Sequence, residues 1–136
     1  MKTLANLLLV FTMISFSCST ILDKPDEKQM ILGKWKLVNV IADSTDSGFL
    51  LAFLSDLQGL IVEYKKDNTL QIHLSDQQKN HMSVTETHDT YYFSYENGKN
   101  VLIQGEHGNE NRYELLVLTD KELTIKSNHY TLFFSR

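Results

Sequence analysis

Residues 116–136 read LVLTDKELTIKSNHYTLFFSR, and within them apolar and polar side chains alternate with a period of two. Such alternation marks strands with one buried face. Two polar pairs, Asp120-Lys121 and Ser127-Asn128, break the pattern and read as two-residue turns. The first turn sets Leu118 opposite Leu123 and Leu116 opposite Ile125. The second sets Ile125 opposite Tyr130 and Leu123 opposite Leu132. Opposed residues of an antiparallel pair share a face. Leu116, Leu118, Leu123, Ile125, Tyr130, Leu132 and Phe134 therefore fall on one face of three strands, and Arg136 has the same parity.

Similar signals fill the chain upstream. Residues 33–42 make a first strand with Trp35, Leu37 and Ile41 on one parity and Lys34 and Lys36 on the other. The stretch 47–57 is the one convincing helix. Leu50, Phe53, Leu54 and Leu57 recur at helical spacing, Asp46 or Ser47 can cap it, and Gly59 can end it. Leu60, Val62 and Tyr64 alternate with polar neighbours, Asp67-Asn68 turns the chain, and Leu70, Ile72 and Leu74 return. Residues 75–80 read as a polar loop. Residues 81–95 then read as one bent strand, with a change of parity between Val84 and Tyr91. Asn97-Gly98 is the strongest short hairpin signal in the chain. The count is eight strands, which is even, so the first and last can pair antiparallel and close a barrel without edges. Closure would bring Arg136 beside Trp35.

The beginning of the chain has a different character. Lys2 precedes an apolar run over residues 4–14, small residues follow at Ser15 and Ser17, and then comes Cys18, the single cysteine. The run falls short of the roughly 20 residues of a membrane-spanning helix and reads as a secretory signal, residues 1–17, that is removed. The Ser17-Cys18 junction resembles a bacterial lipobox, which implies a lipid on the Cys18 thiol. Ordinary cleavage after Ser17, leaving a free thiol, is the alternative. Residues 18–30 hold the one proline, show no periodicity, and read as a lipidated tether. The 13 basic side chains are outnumbered by 17 acidic ones. That balance argues against a nucleic-acid partner, which needs clustered Lys and Arg.

Ile31-Leu32-Gly33-Lys34-Trp35-Lys36-Leu37, with the terminal Phe134-Ser135-Arg136, resembles the Gly-x-Trp opening and last-strand arginine of lipocalins. The closest likeness is to the short lipocalin-like lipoproteins of Bacteroidetes-type bacteria. The resemblance implies an all-β, antiparallel up-and-down eight-stranded lipocalin-like barrel over residues 31–136, to which the residues themselves add one short helix between the first two strands. It implies a closed end built from Gly33, Trp35 and Arg136, the tryptophan plugging it and the arginine packed above. It also implies a cell-envelope protein, lipid-anchored at the outer membrane.

No chemistry-bearing motif stands out. His81 and His88 bracket Glu86, but His73 and His81 oppose the apolar parity and His107 lies in a polar loop, so these read as solvated and no metal is expected. There is no Gly-x-Ser-x-Gly elbow. The chain is expected not to be an enzyme and to need no cofactor. An eight-stranded barrel is either filled by its side chains or holds one small ligand. The aromatic candidates for lining such a cavity are Phe53, Tyr64, Tyr91, Phe93, Tyr95 and Tyr130; the aliphatic ones are Leu57, Ile72, Leu118 and Leu132. The 47–57 helix is then a lid or a plug. Two functions follow: a module that binds an apolar or amphipathic small molecule, or a non-enzymatic interaction protein, an inhibitor or accessory subunit, with a filled core.

Overall fold

A computed structural model describes residues 26–43, 52, 55–82 and 88–136. The expected signal, Cys18 and most of the expected tether lie outside the described residues. Eight strands pair in sequence order: β1 Gly33–Ala42, β2 Ile61–Tyr64, β3 Thr69–His73, β4 His88–Glu96, β5 Lys99–Gln104, β6 Asn111–Leu118, β7 Glu122–Lys126 and β8 Tyr130–Ser135. Every pairing is antiparallel, and β8 returns to β1, so the sheet closes. The fold is the expected up-and-down barrel. Between β1 and β2, Ala52, Ser55 and Asp56 are helical, within the expected helix. Its residues 47–51, with Phe53 and Leu54, lie outside the described residues.

The turns explain the register. Asn97 (φ 50°) and Gly98 (φ 79°) are both left-handed, as a type I′ hairpin requires, and Glu96 pairs with Lys99 across them. Leu118 faces Leu123 across Asp120-Lys121, as expected. The next hairpin turns one residue later than expected. Ser127 N–H donates to the Tyr130 carbonyl at 2.9 Å, so Ile125 opposes Leu132 and Leu123 opposes Phe134. That displacement is two residues along β8, so the inward face is unchanged.

Two β-bulges correct the period-two expectation more deeply. The register of β6 on β7 shifts between Leu115 and Val117. Leu115 therefore opposes Ile125 and packs on the core, while Leu116, expected inside, is 46% exposed. The register of β1 on β8 shifts between Leu37 and Asn39. Val40 turns inward, and Ile41, also expected inside, is 50% exposed. An extra residue bends its strand and raises the local twist, which curves the sheet toward closure.

Two helices depart from the sequence expectation. Residues 27–30, read as the end of the tether, form α1 (Glu27–Met30), capped by the Asp26 carboxylate accepting from Lys28 N–H at 3.1 Å. The loop and first strand residues over 76–82 are instead α2 (Asp76–Met82). Its entry is a reciprocal capping box: Gln78 N–H donates to Ser75 Oγ at 3.2 Å, and Ser75 N–H donates to Gln78 Oε1 at 2.9 Å.

The closed end is built from chain segments far apart in sequence. Ile31 and Trp35 are fully buried. The indole N–H donates to the Ile31 carbonyl at 2.7 Å. The Arg136 guanidinium stacks over the indole, with Cζ 3.9 Å from the ring centroid. Its Nη2 donates to the Met30 carbonyl at 2.7 Å and to the Leu32 carbonyl. Gly33 (φ 108°) turns the chain beneath that guanidinium into β1. Truncating a buried Trp costs about 3–5 kcal/mol, while an Arg–Trp stack contributes about 0.5–2 kcal/mol. Trp35→Ala is therefore expected to lower the melting temperature by at least about 10 °C, at about 4 °C per kcal/mol. Arg136→Ala is expected to lower it by about 2–8 °C at the same rate. Equal shifts in thermal melts would contradict this division of roles.

Candidate functional site

Above the plug the barrel holds a partly open cavity of about 150 Å³. Leu37, Val62 and Ile72 contribute to its wall from β1 to β3, and Ile125, Leu132 and Phe134 from β7 and β8. Leu57 and Leu60 border it from the turn that leads into β2. Gln104, Tyr113 and Tyr130 are its polar members.

The turn over residues 57–59 forms a roof, and Gln78 of α2 fastens it. This side chain is only 8% exposed. Its Nε2 donates to the Asp56 and Gln58 carbonyls, both at 3.0 Å, while its Oε1 closes the capping box. Gly59 N–H in turn donates to the Leu37 carbonyl at 2.8 Å, joining roof to wall.

Tyr64 and Tyr113 are held neutral. Burial pushes the Tyr64 phenol far above its ordinary value, with Tyr113 and Tyr91 nearby adding to the effect and a hydrogen bond from Gln104 opposing it. Burial likewise raises Tyr113, helped by Tyr130 beside it. Gln104 Nε2 donates to the Tyr64 hydroxyl at 2.6 Å. Tyr64 meets Tyr91 edge to face, with centroids 4.9 Å apart.

Of the residues expected at a cavity, Leu57, Ile72, Tyr130 and Leu132 border it. Tyr64 and Tyr91 instead belong to the packed core, and Tyr91 donates to the Lys65 carbonyl at 2.8 Å. Leu118 and Phe93 pack against that core. Tyr91 and Phe93 also border a separate hollow of about 520 Å³ beside Lys28 and Lys66. That hollow is larger, but Lys28, Gln29, Lys66 and Asn68 are among its lining residues, so it offers an apolar molecule less. Tyr95 corrects the expectation. It lies beside the β4–β5 hairpin, past the last core residues of β4, and is 73% exposed. Phe53 lies outside the described residues. Gln78, Gln104 and Tyr113 were not anticipated. Ser75-x-x-Gln78 carried the capping signal for the first and shared parity with Leu102 carried the second, while Tyr113, on the parity opposite to Leu116 and Leu118, carried none.

Among the described residues no group of three or more His, Cys, Asp or Glu is placed to hold a metal ion. His73 Nε2 lies 2.8 Å from Glu63 Oε2 on the outer wall. That hydrogen bond, followed by the charge of Lys34, holds the Glu63 carboxyl below its ordinary 4.5.

Gln78→Ala would leave the Asp56 and Gln58 carbonyls without their donor, a loss of about 1–3 kcal/mol. Amide exchange at Gly59 and Leu60 should quicken while Leu102 and Leu123 stay protected. Unchanged exchange at Gly59 would show that the roof is held otherwise. Glu63 titrates lower when folded, so its contribution is complete above the ordinary carboxylate pKa and disappears as pH falls through the depressed one. His73→Phe should raise the Glu63 midpoint toward 4.5, read by carboxyl NMR. An unmoved midpoint would mean that the imidazole is not its partner.

No protein-family model matches the sequence, and no curated protein matches it. Among solved structures, the chain is similar to the crystal structure of a lipocalin-like protein from Bacteroides uniformis. The two are 12% identical, with a TM-score of 0.45, over 79% of this chain and 98% of that one. On its own topology the domain is a closed up-and-down barrel of eight antiparallel strands in sequence order with a tryptophan plug.

Proposed function

We propose that the domain binds one small apolar or amphipathic molecule inside the barrel, without chemistry, as an envelope protein anchored by lipid on Cys18. The observation that carries this reading is the roofed, largely apolar cavity of about 150 Å³. A cavity of that size in an apolar interior stays dry and takes up a molecule such as benzene. It lies below the roughly 300–1,000 Å³ of sites for drug-sized ligands, so a molecule of sterol or haem size requires the roof to move. The interaction-protein alternative calls for a continuous apolar patch. Among the described residues the exposed large apolar side chains sit on β1, β4 and β6, which are not neighbours in the barrel.

The signal-like run before Cys18 supports export and lipidation. α1 leads into the closed end. An anchor at Cys18 therefore leaves the roofed end facing away from the membrane. The intact mass of membrane-extracted protein should show acylated Cys18, and Cys18→Ala should release the protein or leave its precursor uncut.

For ligand binding, toluene should bind saturably, while palmitate should bind more weakly or only with exchange of the roof. Leu132→Trp, which fills the cavity, should abolish toluene binding while the barrel still melts cooperatively. Absence of saturable binding by any probe in calorimetry would overturn the binding reading.

A further inference from the structure

Resting on that reading, we infer that the cavity selects a neutral single-ring compound carrying an O–H or N–H group, such as a phenol, and that the Gln104 carbonyl is the recognising atom. Three polar side chains meet the cavity, and their hydrogen bonds are unequally spent. The Tyr113 and Tyr130 phenols lie beside each other. The Gln104 amide nitrogen is committed to the Tyr64 hydroxyl at 2.6 Å. An amide bears acceptor capacity on its oxygen as well, and no described side chain or backbone group donates to Gln104 Oε1.

That oxygen is not sealed into the packing. Among the described residues no fully enclosed side-chain nitrogen or oxygen lacks a partner, so this oxygen is accessible, and Gln104 is one of the residues that border the cavity. An acceptor at the edge of an apolar cavity is poorly hydrated, and a ligand donor satisfies it. A site built this way disfavours an analogue lacking the donor.

Charge and size narrow the class further. Among the described residues no Lys, Arg, Asp or Glu borders the cavity. A carboxylate or ammonium ligand would therefore be stripped of water with no counter-charge. About 150 Å³ accommodates one ring.

The test is calorimetry or ligand-observed NMR on the full chain with phenol and toluene, which are nearly equal in shape. Water retains phenol more strongly, so a wholly apolar site would favour toluene. Here phenol is expected to bind at least as tightly. Gln104→Met keeps the volume and removes the carbonyl. It should weaken phenol about tenfold, as loss of one hydrogen bond implies, and leave toluene unchanged or tighter. Retained toluene binding certifies that the variant is folded. Should the variant fail to fold, the phenol and toluene pair on the unaltered protein still decides the matter. Toluene binding well ahead of phenol, or phenol indifferent to Gln104→Met, would overturn this inference and leave the binding function standing. Binding of neither would overturn both.

Discussion

The pairing of β8 with β1 is the constraint on which the rest of the barrel depends. β1 is shared between two neighbours. Gly33 through Lys36 pair with β2, and Lys36 through Ala42 pair with β8. Without the second pairing, β8 and most of β1 would present unmatched backbone N–H and C=O groups, an aggregation hazard. The same pairing brings Arg136 over Trp35 and so seals one end. It also limits the interior, because eight strands enclose room for side chains and at most a small ligand.

Period-two alternation carries the strand count and the inward face, and it carries them through a misplaced turn. The hairpin at Asn128-His129 moves every β8 partner by an even number of residues, so Leu132 and Phe134 stay inside. Alternation is blind to a single added residue. Leu115, Leu116, Val117 and Leu118 are all apolar, so nothing in their chemistry says which one is extra. In β1 the run Val38-Asn39-Val40-Ile41 hides its bulge in the same way. Three-dimensional curvature decides these positions, and curvature has no local signature. α2 is the opposite case. Ser75 and Gln78 spell out the capping box, and it was obscured by the polar content of the surrounding stretch.

The cavity divides along similar lines. Its aliphatic wall follows from parity, as at Ile72 and Leu132. Its polar features do not, because a lone glutamine at the end of an apolar strand looks like the start of a loop. Gln104 acquires meaning only when closure sets it within reach of Tyr64, forty residues away in the chain. Tyr95 shows the converse. It has inward parity, yet its place at a hairpin leaves no interior for it to face.

The plug has a consequence for the order of folding. Trp35 lies near the beginning of the described chain, and the guanidinium that covers it lies at the other end. Loops of that length must close before either partner gains anything, and chains dominated by such distant contacts fold slowly. The local hairpins, β4–β5 and β6–β7–β8, need no such closure and have tight turns to nucleate them. They would form first, as an open curved sheet with its apolar face still bare. The stave that closes the barrel is then the last to be set, and until that moment the chain is an ensemble of hairpins with neither an interior nor a rim.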